Sequence, residues 1–147
     1  MIRFVALFFV SLLWVLPVQA KGIDKNNLYA FETAPTIKAG AVFGKIHERS
    51  TKSGALTGVE SSVCEHAELH QMLIEGGIMK MRKVEAIQSE KGSGIKLAPV
   101  GYHIMLMKLK APLKKGDQIP LTLIYQNGDK TEIKVPVVSR ADDVHDQ

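Results

Sequence analysis

Two imidazoles and two thioethers stand out in this sequence by type and spacing. His70 is followed after ten residues by Met81, after twenty-one more by His103, and after one more by Met105. Thioethers are soft donors that select Cu(I), and imidazole accepts copper readily. Two of each make a neutral, soft set suited to a monovalent ion. Zinc favours thiolates or more imidazoles, and calcium and magnesium favour oxygen. Ligand type alone therefore points to copper.

The surrounding pattern separates ligation from packing. Methionine often fills gaps in a core, which is the plain explanation of the six methionines here. Apart from Met1, however, all of them (Met72, Met79, Met81, Met105 and Met107) fall between residues 72 and 107. In the stretch GYHIMLM, residues 101–107, His103, Met105 and Met107 occupy alternate positions, with Tyr102, Ile104 and Leu106 between them. A strand sends alternate side chains to opposite faces. Ile104 and Leu106 then supply the core, and the imidazole and thioethers lie on the other face. The same parity puts Ala67 and Leu69 on the core side and His70 and Met72 opposite. A hairpin turning at Glu75-Gly76-Gly77 joins the two patterns. A four-residue loop over 74–77 sets His70 against Met81 and Met72 against Met79. A two-residue loop at Gly76-Gly77 sets Met72 against Met81. Either even-length loop gathers His70, Met72, Met79 and Met81 on one face, and an odd one does not. Met72, Met79 and Met107 are auxiliary candidates that shield the site, exchange with its ligands or pack.

Other groups fit less well. Cys64, the only cysteine, shares parity with His66 and His70. Six residues of straight strand nevertheless span about 20 Å, so the expectation is a small buried residue. His66, about 13 Å from His70 by the same rise, is expected to be solvated. His145, among the acids of the tail, is expected to be solvated as well. With one cysteine, thiol–disulfide exchange within the chain is excluded. No nucleophile motif is visible, and soft ligands are poorly suited to activating water. The expectation is a binding and transfer protein, not an enzyme.

The elements that must hold these residues are short strands. After a polar N-terminal stretch with one apolar patch at Leu28–Phe31, β-like runs at Ala41–Ile46, Val63–Leu73, Ile78–Val84, Ile95–Leu97, Tyr102–Leu109, Leu121–Tyr125 and Thr131–Val135 are separated by turn chemistry. Asn127-Gly128 is a strong hairpin signal. No segment keeps a helical period over three turns. An all-β antiparallel sandwich or barrel is expected. The first twenty residues, MIRFVALFFVSLLWVLPVQA, have an early cation, an apolar run and small residues at the −3 and −1 positions, as in a secretory signal peptide cut after Ala20. The next residue is Lys21, not the cysteine of a lipid-anchored form. Residues 21–140 then make one domain, with an acidic flexible tail over 141–147. That domain is expected to be soluble in the periplasm, monomeric and without stable membrane insertion. The formal net charge of +4 is too small and too scattered to argue for nucleic acid.

The four-ligand spacing, with the flanks ELHQM, GIMKMRKV, LAPVGYHIMLM and PLKKGDQIPLTL in that order, resembles the periplasmic PCuAC copper chaperones. The resemblance runs from about Ala39 to Val138. It implies a cupredoxin-like Greek-key β-sandwich holding one Cu(I) per chain near the surface, with His70, Met81, His103 and Met105 as the ligands carried over by position. It also implies delivery of copper to the binuclear centre of cytochrome c oxidase or to another copper carrier, so that copper donor and acceptor proteins are the partners. Tyr29-Ala30-Phe31 stands where the family pattern has a Trp-containing strand. Two other readings compete: an electron-transfer cupredoxin, for which Cys64 is the one available thiolate, and a periplasmic interaction module whose methionines only pack.

Overall fold

The structure is a computed structural model, and it describes residues 27–47, 54–90 and 93–141. The leader expected over 1–20 and most of the expected tail, from residue 142 on, lie outside the described residues.

Among the described residues nine strands follow one another: β1 Asn27–Phe31, β2 Ala39–Ile46, β3 Leu56–Glu60, β4 Cys64–Glu75, β5 Ile78–Lys83, β6 Ile95–Leu97, β7 Tyr102–Leu109, β8 Gln118–Tyr125 and β9 Lys130–Val138. No helix occurs among the described residues. The strand order is β3-β8-β9-β1-β2-β7-β4-β5, with β6 added to β2, and the sheet does not close. The all-β expectation holds. One pairing departs from the antiparallel rule: β1 runs parallel to β9, through Ala30 opposite Val137 and Phe31 opposite Val138.

The core lies where the alternation puts it. Leu28, Ala30, Val42, Leu69, Ile104 and Leu106 are buried along β1, β2, β4 and β7, against Leu121, Leu123, Val135 and Val137 of β8 and β9. Burying one of these Leu, Ile or Val side chains stabilises the fold by about 1.5–3 kcal/mol.

Two details of register were not expected. β3 is absent from the sequence reading because its pairing with β8 shifts between Leu56 and Gly58, which breaks the period-two signal. In β7, Lys108 has φ 55°, and the alternation slips there: Met107 and Lys108 are both exposed and Leu109 turns inward. Cys64, opposite Leu109, turns inward with it and joins the core. The parity that tied Cys64 to His66 and His70 therefore ends before it reaches the thiol.

The two hairpins turn as their glycines allow. Gly76 and Gly77 have φ 61° and 78°, the paired positive values of a two-residue primed turn. The β8–β9 connection is a three-residue loop in which the Gly128 N–H donates to the Tyr125 carbonyl and Gly128 has φ 88°. That is a turn followed by a glycine bulge rather than the two-residue Asn-Gly turn.

Candidate metal centre

The two-residue turn settles the hairpin register. Met72 lies opposite Met81, Ile74 opposite Met79, and His70 opposite Lys83. On its other side β4 pairs with β7, and there His70 lies opposite His103, Glu68 opposite Met105, and His66 opposite Met107. Directly paired residues share a face, so all the expected donors do share one. It is the face turned away from Leu69, Ile104 and Leu106.

At the centre of that face the His70 and His103 rings sit 6.1 Å apart between centroids, inclined at 48°. Phe43 stands 6.1 Å beyond His103, and Tyr29 and Phe31 pack on Phe43 at 6.1 and 5.9 Å. This aromatic wall explains why His103 is only 2% exposed although it points away from the main core. Burial holds the His103 imidazole below its ordinary pKa; the Gly101 carbonyl opposes this and His70 adds to it.

Hydrogen bonds choose which nitrogen each ring offers. The His70 Nε2–H donates to Glu68 Oε2 at 3.0 Å, and Lys83 holds the other oxygen of the same carboxylate at 3.0 Å. His70 Nδ1 is thereby left as a lone-pair donor; it is buried and has no hydrogen-bond partner. The His103 Nδ1–H donates to the Gly101 carbonyl at 3.3 Å, which directs its Nε2 lone pair away from the backbone. A carboxylate behind an imidazole is the usual outer support of a metal-binding histidine, since it fixes the tautomer and raises basicity. The hydrogen bonds to His70 and then Lys83 keep Glu68 below the usual carboxylate pKa. The sequence reading did not single out Glu68 or Lys83. The signal was present: Glu68 sits two residues before His70, on the same strand face.

The thioethers surround the pair unevenly. Met105 is two residues from His103, about 7 Å along the strand. Met81 is on the diagonal from His70, with backbones about 7–8 Å apart. These two methionines flank the imidazoles from opposite sides, and on a flat sheet their backbones stand roughly 16 Å apart. Met72, next to His70 on β4, is nearer the midpoint of the imidazole pair than Met81 by register. Met105 and Met72 are half-buried, whereas Met81 is 46% and Met79 61% exposed. The other face of the hairpin is charged, with Glu75 bonded to Lys80 at 2.8 Å and to Arg82 at 3.1 Å. Those ion pairs hold the turn in register while its methionines face outward.

Cys64 stands apart from this arrangement. It is a free thiol, buried in the core, and burial pushes its pKa up. Among the described residues no three His, Cys, Asp or Glu side chains converge as a metal site, so a site on this face depends on its sulfurs.

The sequence matches a family model over residues 23–137, that of the LpqE-like lipoproteins. The chain belongs to the LpqE-like family. A relative in Leifsonia xyli, Lxx21020, itself named as a lipoprotein, is 35% identical over 120 residues, covering 81% of this chain and 71% of its own. Among solved structures the Cu(I) form of DR1885 from Deinococcus radiodurans superposes with a TM-score of 0.57 at 24% identity, covering 84% of each chain. The copper-bound PCuAC domain of PmoF2 gives 0.56 at 16% identity, covering 78% of this chain and 90% of that one. The resemblance to PCuAC domains thus holds at the level of the fold, a cupredoxin-like β-sandwich.

Proposed function

We propose that this LpqE-like protein binds one Cu(I) on the exposed face of β4, β5 and β7 and passes it to other copper proteins. The observation that carries the reading is the facing pair His70 and His103. One ring presents a buried Nδ1 without a partner, both are oriented by hydrogen bonds, and the face around them is lined with thioethers. His70 and His103 supply two nitrogens; Met105 and Met81 supply two sulfurs, with Met72 beside them. The copper bound in two structural relatives, the PmoF2 domain and Cu(I)-DR1885, supports the choice of metal.

The reading extends to place and partners. The leader-like residues 1–20 support export to the periplasm, and the relatives named as lipoproteins agree with an envelope setting. In this sequence the one cysteine is Cys64, buried in β4, which favours a soluble domain over one lipidated through a thiol. The resemblance to PCuAC chaperones points to delivery to the copper centre of cytochrome c oxidase or to another carrier, and the site's chemistry suits a carrier: neutral donors hold Cu(I) without a thiolate and release it by ligand exchange. A blue-copper role is disfavoured, because such a site needs a thiolate beside the imidazoles and Cys64 is in the core.

X-ray absorption on the Cu(I)-loaded protein tests the reading. Two nitrogen and two sulfur neighbours are expected. A shell of nitrogen and oxygen alone would overturn it.

A further inference from the structure

The donors on this face do not stop at the imidazole pair. Below His70 and His103 comes the row of Glu68 and Met105, and below that His66 and Met107 face each other across β4 and β7. Side chains directly opposed in this way have Cβ atoms about 4.5–5.5 Å apart. Met105 lies on the diagonal from His66. One imidazole and two thioethers therefore meet at the lower end of the face. This end is open. The His66 side chain is 57% and Met107 37% exposed, and Met107 is flanked on β2 by Ala39, which adds a single methyl group. The His66 imidazole is not committed to a strong partner: its Nε2 is 3.9 Å from Glu65, whose carboxylate already binds Lys108 at 2.9 Å.

We propose that His66 and Met107, with Met105 shared, form a second and weaker Cu(I) site, at which the ion enters or leaves the His70–His103 pair. The proposal rests on the copper reading above and extends it. Soft neutral donors suit Cu(I) here for the same reason as at the pair. The open side leaves a coordination position for a ligand from a donor or acceptor protein. Met105, two residues from His103 and two from Met107, stands midway between the two rows, which lie about 13 Å apart, so its sulfur is the one donor within reach of both. No oxidation or reduction is involved; each step exchanges one neutral ligand for another.

The test is a titration of the full mature chain with Ag(I), a closed-shell stand-in for Cu(I), read by NMR of methyl-labelled methionines and histidine rings. The first equivalent is expected to shift the His70 and His103 rings and the Met105 methyl. The second is expected to shift the Met107 methyl and the His66 ring, with affinity about tenfold weaker or more. In the double variant His66→Ala/Met107→Leu, at two exposed positions, the Met105 methyl and isothermal titration calorimetry still report on binding, and the second equivalent is expected to give no further step while the first persists. Unmoved Met107 and His66 signals at two equivalents would overturn the proposal, as would a second step identical in wild type and variant. A first equivalent that leaves His70 and His103 unshifted would sink the main copper site instead, with the His66 and Met107 signals still deciding this one.

Discussion

Each donor residue is made usable by its neighbours. His70 offers Nδ1 because Glu68 holds its Nε2–H, and Lys83 opposite keeps that carboxylate in place. His103 is ready at a lower pH than a free imidazole because Phe43 and its surroundings bury it. In the proposed site the thioethers select the oxidation state. Met81→Leu/Met105→Leu roughly keeps side-chain volume, so the fold should survive. It leaves two imidazoles, which suit Cu(II) as well as Cu(I). The double variant should lose Cu(I) affinity by about a hundredfold or more, on the order of 3 kcal/mol, and lose far less for Cu(II). Competition with a Cu(I) chelator and a separate Cu(II) titration read the two losses. Unchanged Cu(I) affinity in a folded variant would return these methionines to packing. A parallel Met72→Leu variant shows whether the sulfur nearer by register contributes.

At the scale of elements, two glycine sites do different work. Gly44 in β2 has φ 117°, and a Cβ there would fall 1.8 Å from the Asn27 carbonyl oxygen of β1. This close approach seats β1, and with it Tyr29 and Phe31 beside Phe43. Gly44→Ala is expected to cost at least about 2 kcal/mol and to loosen the aromatic wall over His103. Gly76, at φ 61° in the β4–β5 turn, has nothing within 4 Å of an added Cβ. Gly76→Ala should cost only backbone strain, about 1–2 kcal/mol. Urea unfolding of both variants checks the difference; equal losses would mean that the β1–β2 contact is not tight. The β4–β5 hairpin was legible from Glu75-Gly76-Gly77, with an even loop as the condition for a single donor face. The choice between two and four residues was not, because both keep the methionines on one face. The ion pairs of Glu75 with Lys80 and Arg82 favour the shorter one.

For the whole molecule, the same groups couple stability to pH. His103 has a depressed pKa in the fold, chiefly from burial, whereas in the unfolded chain it takes up a proton near pH 6.5. Below that pH the unfolded state binds more protons, so stability is full above about 6.5 and declines as pH falls toward the folded value. Glu68, depressed by its bonds to His70 and then Lys83, acts in the same direction at lower pH, where its protonation ends the support of His70. The metal-free protein should therefore show a constant Tm above about pH 7 and a fall between about pH 6.5 and 4. Thermal unfolding followed by circular dichroism measures it. A Tm that rises on acidification would contradict the burial of His103.

The sequence by itself determined the period of the strands, the parity that sets one face against the core, and the candidate donors on that face, since these depend on local alternation and side-chain chemistry. It also carried Glu68, two residues from His70, as a signal that went unread. Tertiary structure decided what depends on residues far apart. The parallel contact of β1 with β9 joins chain ends more than a hundred residues apart, and no local pattern encodes it. The slip at Lys108 moves Cys64 from the donor side into the core, because a single left-handed residue resets the alternation in its own strand and its neighbour. The facing of His70 with His103, and of His66 with Met107, follows from the register between β4 and β7, which long-range packing sets. The alternation made a donor face legible; only that register shows which donors meet.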